Sequence, residues 1–260
     1  MTMYPLGPVH RPHLGTVFET VEVLHGRPFA LQEHLDLLHV AAARLGVGPP
    51  DRHMVESAVK DTAEAWGQSP GRLRVAWSGS LAGHAHDGSL LINITSLTVP
   101  EQAARVEVAE HAIDTGSDLC GLKSSGLAAT VARLAAHPEA DEVLVLDSSG
   151  ELVEGCSSNV FVVLGDSLVA PPLSSGCRAG VTRSVLLRAA RSAGIPVREE
   201  AIPMLDARAF RTDTSAAIRE AFLTSTGRHV QAISSISGQP LDPDGELTRA
   251  AREAFLAARD

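Results

Sequence analysis

Lysine occurs only twice in the 260-residue chain, at Lys60 and Lys123, against 20 arginines (22 basic residues minus two). Arginine keeps its charge near neutral pH, whereas a lysine amine can shed a proton and attack a carbonyl carbon. Lys123 stands in Leu122-Lys123-Ser124-Ser125-Gly126, just ahead of a helical pattern. Glu154 follows 31 positions later (154 minus 123), at the end of the strand-like run Glu151-Leu152-Val153-Glu154. Further on, Ser174-Ser175-Gly176-Cys177-Arg178-Ala179-Gly180-Val181-Thr182-Arg183 sets glycines, a threonine and an arginine where another helix begins. Three parts are thus at hand: an amine that forms imines, a carboxylate that can hold a proton on a ring nitrogen, and a helix N-terminus whose amides can receive a phosphate. A pyridoxal 5′-phosphate (PLP) site needs all three. Singly, each has a plainer reading: a surface lysine, an exposed strand carboxylate and an ordinary helix cap.

Other chemistries lack their residues. The chain has no GxGxxG opening a helix after a strand, no GKS or GKT phosphate loop, no GxSxG elbow and no HExxH. His84 and His86, with Asp87 behind them, make a weak metal signal, and no metal is expected. Asp242-Pro243-Asp244-Gly245 lacks the later ligands of a calcium loop and reads as a turn that caps the last helix. Three cysteines in no CxxC pair read as free thiols in a reducing compartment. The net charge of −9 and the absence of any Lys/Arg run of five argue against nucleic-acid binding. The apolar runs are strand-sized, so neither a bilayer span nor a signal peptide is expected, and the chain is assigned to the cytoplasm.

These candidate residues need a scaffold. Alternation in Val17–Val23 followed by Gly26-Arg27-Pro28 predicts a hairpin, then helices over 32–45 and 54–66 and strands over 72–78 and 89–98. A helix over 127–137 stops at Pro138. Short strands are expected over 142–146, 151–153, 160–163 and 167–169, then a helix over 182–193 and a strand over 197–201. A short helix over 205–210, strands over 221–224 and 229–233, and a final helix over 245–258 complete the reading. This is a mixed α/β (α+β) chain without regular βαβ alternation, with a first unit over 1–110 and a second over 111–260 that carries Lys123.

Order and wording together resemble the fold-type IV PLP enzymes, the family of branched-chain and D-amino acid aminotransferases and aminodeoxychorismate lyase. The resemblance covers nearly the whole chain. Gly15-Thr16-Val17-Phe18-Glu19-Thr20, Gly26–Leu31 and Glu33-His34-Leu35 are similar to its opening hairpin and first helix. Leu122-Lys123 looks like its lysine motif, and Asp141–Asp147, Gly150, Glu154 and Asn159-Val160-Phe161 look like its core signature. Gly180-Val181-Thr182-Arg183 matches its phosphate turn, and Phe222–Gly227 its second phosphate and substrate loop.

The resemblance implies two α/β domains with the cofactor in the cleft between them, in a homodimer. It implies that Lys123 forms the Schiff base and Glu154 pairs with the pyridinium nitrogen. Val181, Thr182 and Thr226 would hold the phosphate, with Asn159 part of the cofactor-binding signature, and Ser225 to Gly227 would receive the substrate carboxylate. Arg74, His84 and His86 are further candidates for substrate recognition. Two positions depart from the pattern. Leu37 stands where the family's His-Leu-x-Arg-Leu places a phosphate-binding arginine, with Arg44 two turns on as a possible substitute. Ser124, Ser125, Gly126 and Leu127 follow the lysine where many members carry a tyrosine or asparagine. The expected activity is transamination between a small amino acid or amine and a 2-oxo acid. The alternatives are a lyase that releases pyruvate, and a relative diverged toward PLP-independent or non-enzymatic work.

Overall fold

The computed structural model describes residues 15–79, 88–109, 112–117, 119–124, 128–206, 211–212 and 218–259. The alternating opening stretch forms β1 (Thr16–Leu24), which turns through Gly26 (φ +74°) into the short β2 (Arg27–Pro28). Two helices follow, α1 (Leu31–Arg44) and α2 (Arg52–Trp66), and then β3 (Gly71–Ser78) and β4 (Ser89–Ser96). Asp51 starts α2 by accepting a 2.7 Å bond from the Met54 amide. The four strands form an antiparallel sheet in the order β2-β1-β3-β4. One face buries Val17, Val21, Leu73 and Val75 against Leu35, Leu38, Val55 and Val59 of the helices. Burial of this kind contributes about 25 cal/mol per Å² of apolar surface and dominates the stability of such a layer.

The second sheet begins with β5 (Ala104–Val108), followed by α3 (Ala128–Ala136), β6 (Glu142–Leu146), β7 (Leu152–Gly155), β8 (Asn159–Leu164) and β9 (Ser167–Ala170). The chain continues through α4 (Val181–Ser192), β10 (Val197–Glu199), β11 (Met204–Asp206), β12 (Arg211–Thr212), β13 (Ala221–Ser225), β14 (His229–Ile236), β15 (Gln239–Pro240) and α5 (Glu246–Arg259). The strand order is β10-β9-β8-β13-β14-β5-β6-β7, with β15 added to β14. A tight turn joins β7 to β8, although they stand far apart in that order, so the sheet curls back on itself. Phe161 of β8 and Phe222 of β13 stack at 5.0 Å beneath α4 and α5.

Most elements fall within two residues of expectation. Two differences bear on the sheets. The short helix expected at 205–210 is not formed at its start: Met204–Asp206 pairs with Arg211–Thr212 as a two-stranded ladder, and 207–210 lie outside the described residues. The strand β5 is an addition to the expected elements, although Ala104-Arg105-Val106-Glu107-Val108 alternates, and it pairs with β14 and β6.

Candidate active site

The strand β1 anchors the main chain of Lys123. The Phe18 amide donates to the Lys123 carbonyl at 3.0 Å, and Val17 bridges to Ser124. The neighbouring Glu19 occupies the apolar register of β1, between Val17 and Val21, and is 4% exposed. Its Oε2 accepts from Lys123 Nζ at 2.9 Å and lies 2.9 Å from His34 Nδ1 on α1. Burial alone would raise the Glu19 carboxyl, but the Lys123 charge and the His34 contact outweigh it and leave the group below its ordinary range.

Lys123 lies where three cavities meet. One, of about 370 Å³, runs along α1 past Glu19, Leu37 and Arg44 to Arg178 and Gly180. A second, of about 870 Å³, lies under the open face of the small sheet and is lined by Phe18, Arg72, Arg74 and Ser225–Arg228. The third, of about 30 Å³, is enclosed by His34, Asn159, Val181, Thr182, Thr224 and Thr226. The sequence candidates Lys123, Asn159, Val181, Thr182, Ser225 and Thr226 therefore meet around one small space. Arg74, Ser225 and Gly227 face Lys123 across the larger cavity, with the Arg74 guanidinium 3.7 Å above the Phe18 ring. His84 and His86 lie outside the described residues.

Glu154 sits on β7 and is buried. Its Oε2 accepts from the backbone N–H of Arg178 at 2.8 Å and from Arg178 Nε at 3.0 Å. Burial pushes the Glu154 carboxyl up, and the Arg178 charge offsets that only in part. The turn after it is held from below by Glu142, fully buried on β6. Glu142 accepts from Ser157 Oγ at 2.5 Å, from the Ser157 amide at 3.1 Å and from Ser158 Oγ at 2.9 Å. A carboxylate so bonded fixes the backbone that leads to Asn159.

At the start of α4, Gly180 makes no side-chain cap, and a side chain there would collide with the Asn159 amide oxygen. Glycine at 180 thus lets the chain approach Asn159, whose Nδ2 donates to the Arg178 carbonyl at 2.8 Å. The uncapped helix end and its dipole favour an anion. The Thr226 hydroxyl is already engaged, donating to the Thr20 carbonyl at 2.8 Å. The Thr224 hydroxyl is buried beside the same small cavity without a partner among the described residues, which costs free energy unless something binds it.

Sequence reasoning assigned no role to Glu19, His34, Arg178, Thr224 or Glu142. For Glu19 a signal existed: a carboxylate in the apolar register of an alternating strand must be paired once buried. The partners of the others depend on tertiary contacts.

The family model described as amino-transferase class IV matches residues 16–236. The chain belongs to the class IV aminotransferase family. It is 26% identical over 253 residues to a D-alanine aminotransferase of Bacillus licheniformis, covering 92% of this chain and 86% of the relative. A fold IV transaminase structure from Curtobacterium pusillum superposes with TM-score 0.81 at 25% identity, covering 96% of this chain and 89% of that one. The PLP-bound form of a hypothetical aminotransferase from Mycobacterium tuberculosis has the same fold, with TM-score 0.81 at 20% identity and coverage of 99% and 95%.

Class IV aminotransferases use PLP, and the residues present fit it. The amine of Lys123 opens onto three cavities, α4 begins without a side-chain cap, and the unpartnered Thr224 hydroxyl lies in the cavity at that helix end. Leu37 supplies no cation, while Arg44 lines the same cavity as Leu37 and Lys123.

Proposed function

We propose that this chain is a PLP-dependent aminotransferase that moves an amino group between a small amino acid or amine and a 2-oxo acid. The observation that carries the reading is the Lys123 amine, tied to a buried carboxylate at 2.9 Å and facing the uncapped start of α4 across a small polar cavity. Bound in that cleft, PLP would supply a carbonyl carbon with which amines condense and a ring that takes up electron density.

The residues divide the remaining work. Lys123 is the attachment amine and, once released, the group that carries a proton between carbon atoms. It attacks only as the neutral amine, and Glu19 Oε2, 2.9 Å away, is placed to take the proton it gives up. Glu19 stands there as a carboxylate, its carboxyl held below the ordinary range by the Lys123 charge and the His34 contact against the effect of burial. Glu154 receives the ring nitrogen. The Val181 and Thr182 amides, the Thr182 and Thr224 hydroxyls and Thr226 receive the phosphate, and Asn159 orders the turn beneath it. The Ser225–Gly227 segment and Arg74 take the substrate carboxylates, with His84 and His86 assigned to substrate recognition. The same reading makes the enzyme a cytoplasmic homodimer whose two units span 1–110 and 111–260. Sedimentation equilibrium and cell fractionation measure the first two points.

The purified protein mixed with PLP is expected to absorb visible light as a PLP–lysine adduct does, and Lys123→Ala to abolish that absorption. Single-turnover reactions with a panel of amino donors should then convert the bound aldehyde to the amine form. Failure of every donor refutes transamination, and release of pyruvate without an acceptor points to the lyase reading instead.

A further inference from the structure

Arg178 is fastened at both ends. Its amide and Nε share Glu154 Oε2, its Nη2 donates to the Gly155 carbonyl at 2.6 Å and the Ser158 carbonyl at 3.4 Å, and its own carbonyl accepts from Asn159. Two positions later Gly180 caps α4. The residue therefore ties the Glu154 carboxylate to the turn that leads into α4. Among the described residues, the titratable groups that act most on Glu154 or feel its charge include Arg178, Glu142 of β6, Cys156 after β7, and Cys120 and Cys177 from the adjoining loops. Arg178 is the cation that bonds Glu154 directly.

We propose that Arg178 is a positioning residue that shares the Glu154 carboxylate with the cofactor's ring nitrogen and so loosens the hold of that pair on its proton. The proposal rests on the PLP reading above. A carboxylate that already accepts a charged hydrogen bond from a guanidinium has less negative charge to offer a second donor. Burial alone would drive Glu154 to take up a proton, and Arg178 acts against that. A ring whose nitrogen is less firmly protonated draws electrons less strongly. Such a site favours a proton moved promptly by Lys123 over chemistry that needs charge stored in the ring.

The test loads the protein with PLP labelled with ¹⁵N in the ring and follows the nitrogen signal against pH in wild type, Arg178→Met and Arg178→Lys. Neither substitution touches the backbone bond to Glu154, so the carboxylate keeps that anchor. In Arg178→Met the pH at which the ring nitrogen loses its proton should move upward, by about a ten- to hundred-fold gain in proton affinity. Arg178→Lys, which keeps the charge, should fall between. An unmoved midpoint in Arg178→Met overturns the proposal. If that variant does not fold by circular dichroism, Arg178→Gln replaces it. A wild-type nitrogen that stays protonated at every pH the fold tolerates also overturns it. Absence of bound PLP in the wild type would sink the PLP reading and this proposal together, whereas bound PLP with an unmoved midpoint sinks this proposal alone.

Discussion

Replacing Glu19 by glutamine probes the contact on which the reactivity of Lys123 depends. The substitution keeps the shape and one acceptor oxygen but removes the negative charge 2.9 Å from both Lys123 Nζ and His34 Nδ1. A hydrogen bond between charged groups contributes about 1.5–3 kcal/mol and a neutral one about 1 kcal/mol, so the loss is about 0.5–2 kcal/mol. The Lys123 side chain is 23% exposed and that of Glu19 is 6% exposed, so solvent screens this pair only in part. The share of Lys123 present as neutral amine at neutral pH should therefore rise roughly two- to thirty-fold. The lysine count makes this measurable. Lys60, with its side chain 58% exposed and paired to Glu56 on the same helix, serves as a reference in the same tube. Both proteins are acylated with a small succinimidyl ester across a pH series and digested, and the ratio of Lys123 to Lys60 labelling is read by mass spectrometry. The ratio should rise in Glu19→Gln near neutrality, and the gap should close at high pH, where the amines are neutral in both proteins. A gap that persists at high pH would mean altered access instead of altered protonation. A ratio within twofold of wild type at every pH would refute the reasoning.

Four further outcomes are expected. Thr224→Val removes an unsatisfied buried hydroxyl, so the unloaded protein should gain up to about 1 kcal/mol in urea unfolding while PLP affinity falls about tenfold in a fluorescence titration. Leu37→Arg should raise PLP affinity about ten- to a hundred-fold by adding a cation beside the Lys123 cavity. It should also cost about 1 kcal/mol of stability, because Leu37 packs against the core under α4. Acid should destabilise the fold through Glu19. Its folded carboxyl lies below the ordinary 4.5, so its contribution is complete above that pH and drains as pH falls further; urea midpoints should drop over that range in wild type and less steeply in Glu19→Gln. Burial pushes the Cys156 thiol up to about 11, so iodoacetamide at mildly alkaline pH should leave it unmodified in the folded protein and label it after unfolding, as read by mass spectrometry.

Local pattern made most elements legible, together with the two ends of the site: the amine at 123 and the glycine-led start of α4. Those features live in short windows, where alternation, helical spacing and a missing cap leave direct marks. The bonds that equip the site do not. Glu19 meets Lys123 across 104 positions, and Arg178 reaches Glu154 across 24. Which residues face each other depends on strand register and on how the turn after β7 bends, and neither is written locally. The ladder at Met204–Asp206 is hidden for the same reason: its partner, Arg211–Thr212, lies beyond the helix-like window 205–210. Glu19 is the instructive exception, since a carboxylate among Val17, Val21 and Val23 marks itself as a group awaiting a cation.

Two buried acids are matched by cations, Glu19 by Lys123 and Glu154 by Arg178. Buried pairs of this kind are weak evidence for stability, because desolvation consumes much of their attraction. Their effect on the cleft is clearer, because each acid is neutralised where it stands. The cations left to set the field are Arg72 and Arg74, which line the large cavity and form no ion pair among the described residues. Arg228 beside them is paired with Glu142 at 3.8 Å, Asp141 on the same lining is paired with Arg105 at 3.9 Å, and α4 presents its N-terminus on the other side of Lys123. On a chain of net charge −9 this is a local basin of opposite sign. Such a basin concentrates anions and speeds their capture at low salt. A 2-oxo acid and a phosphorylated cofactor are both anions. The capture rate of either should therefore fall with ionic strength in wild type, and fall less in a double variant carrying Arg72→Gln and Arg74→Gln.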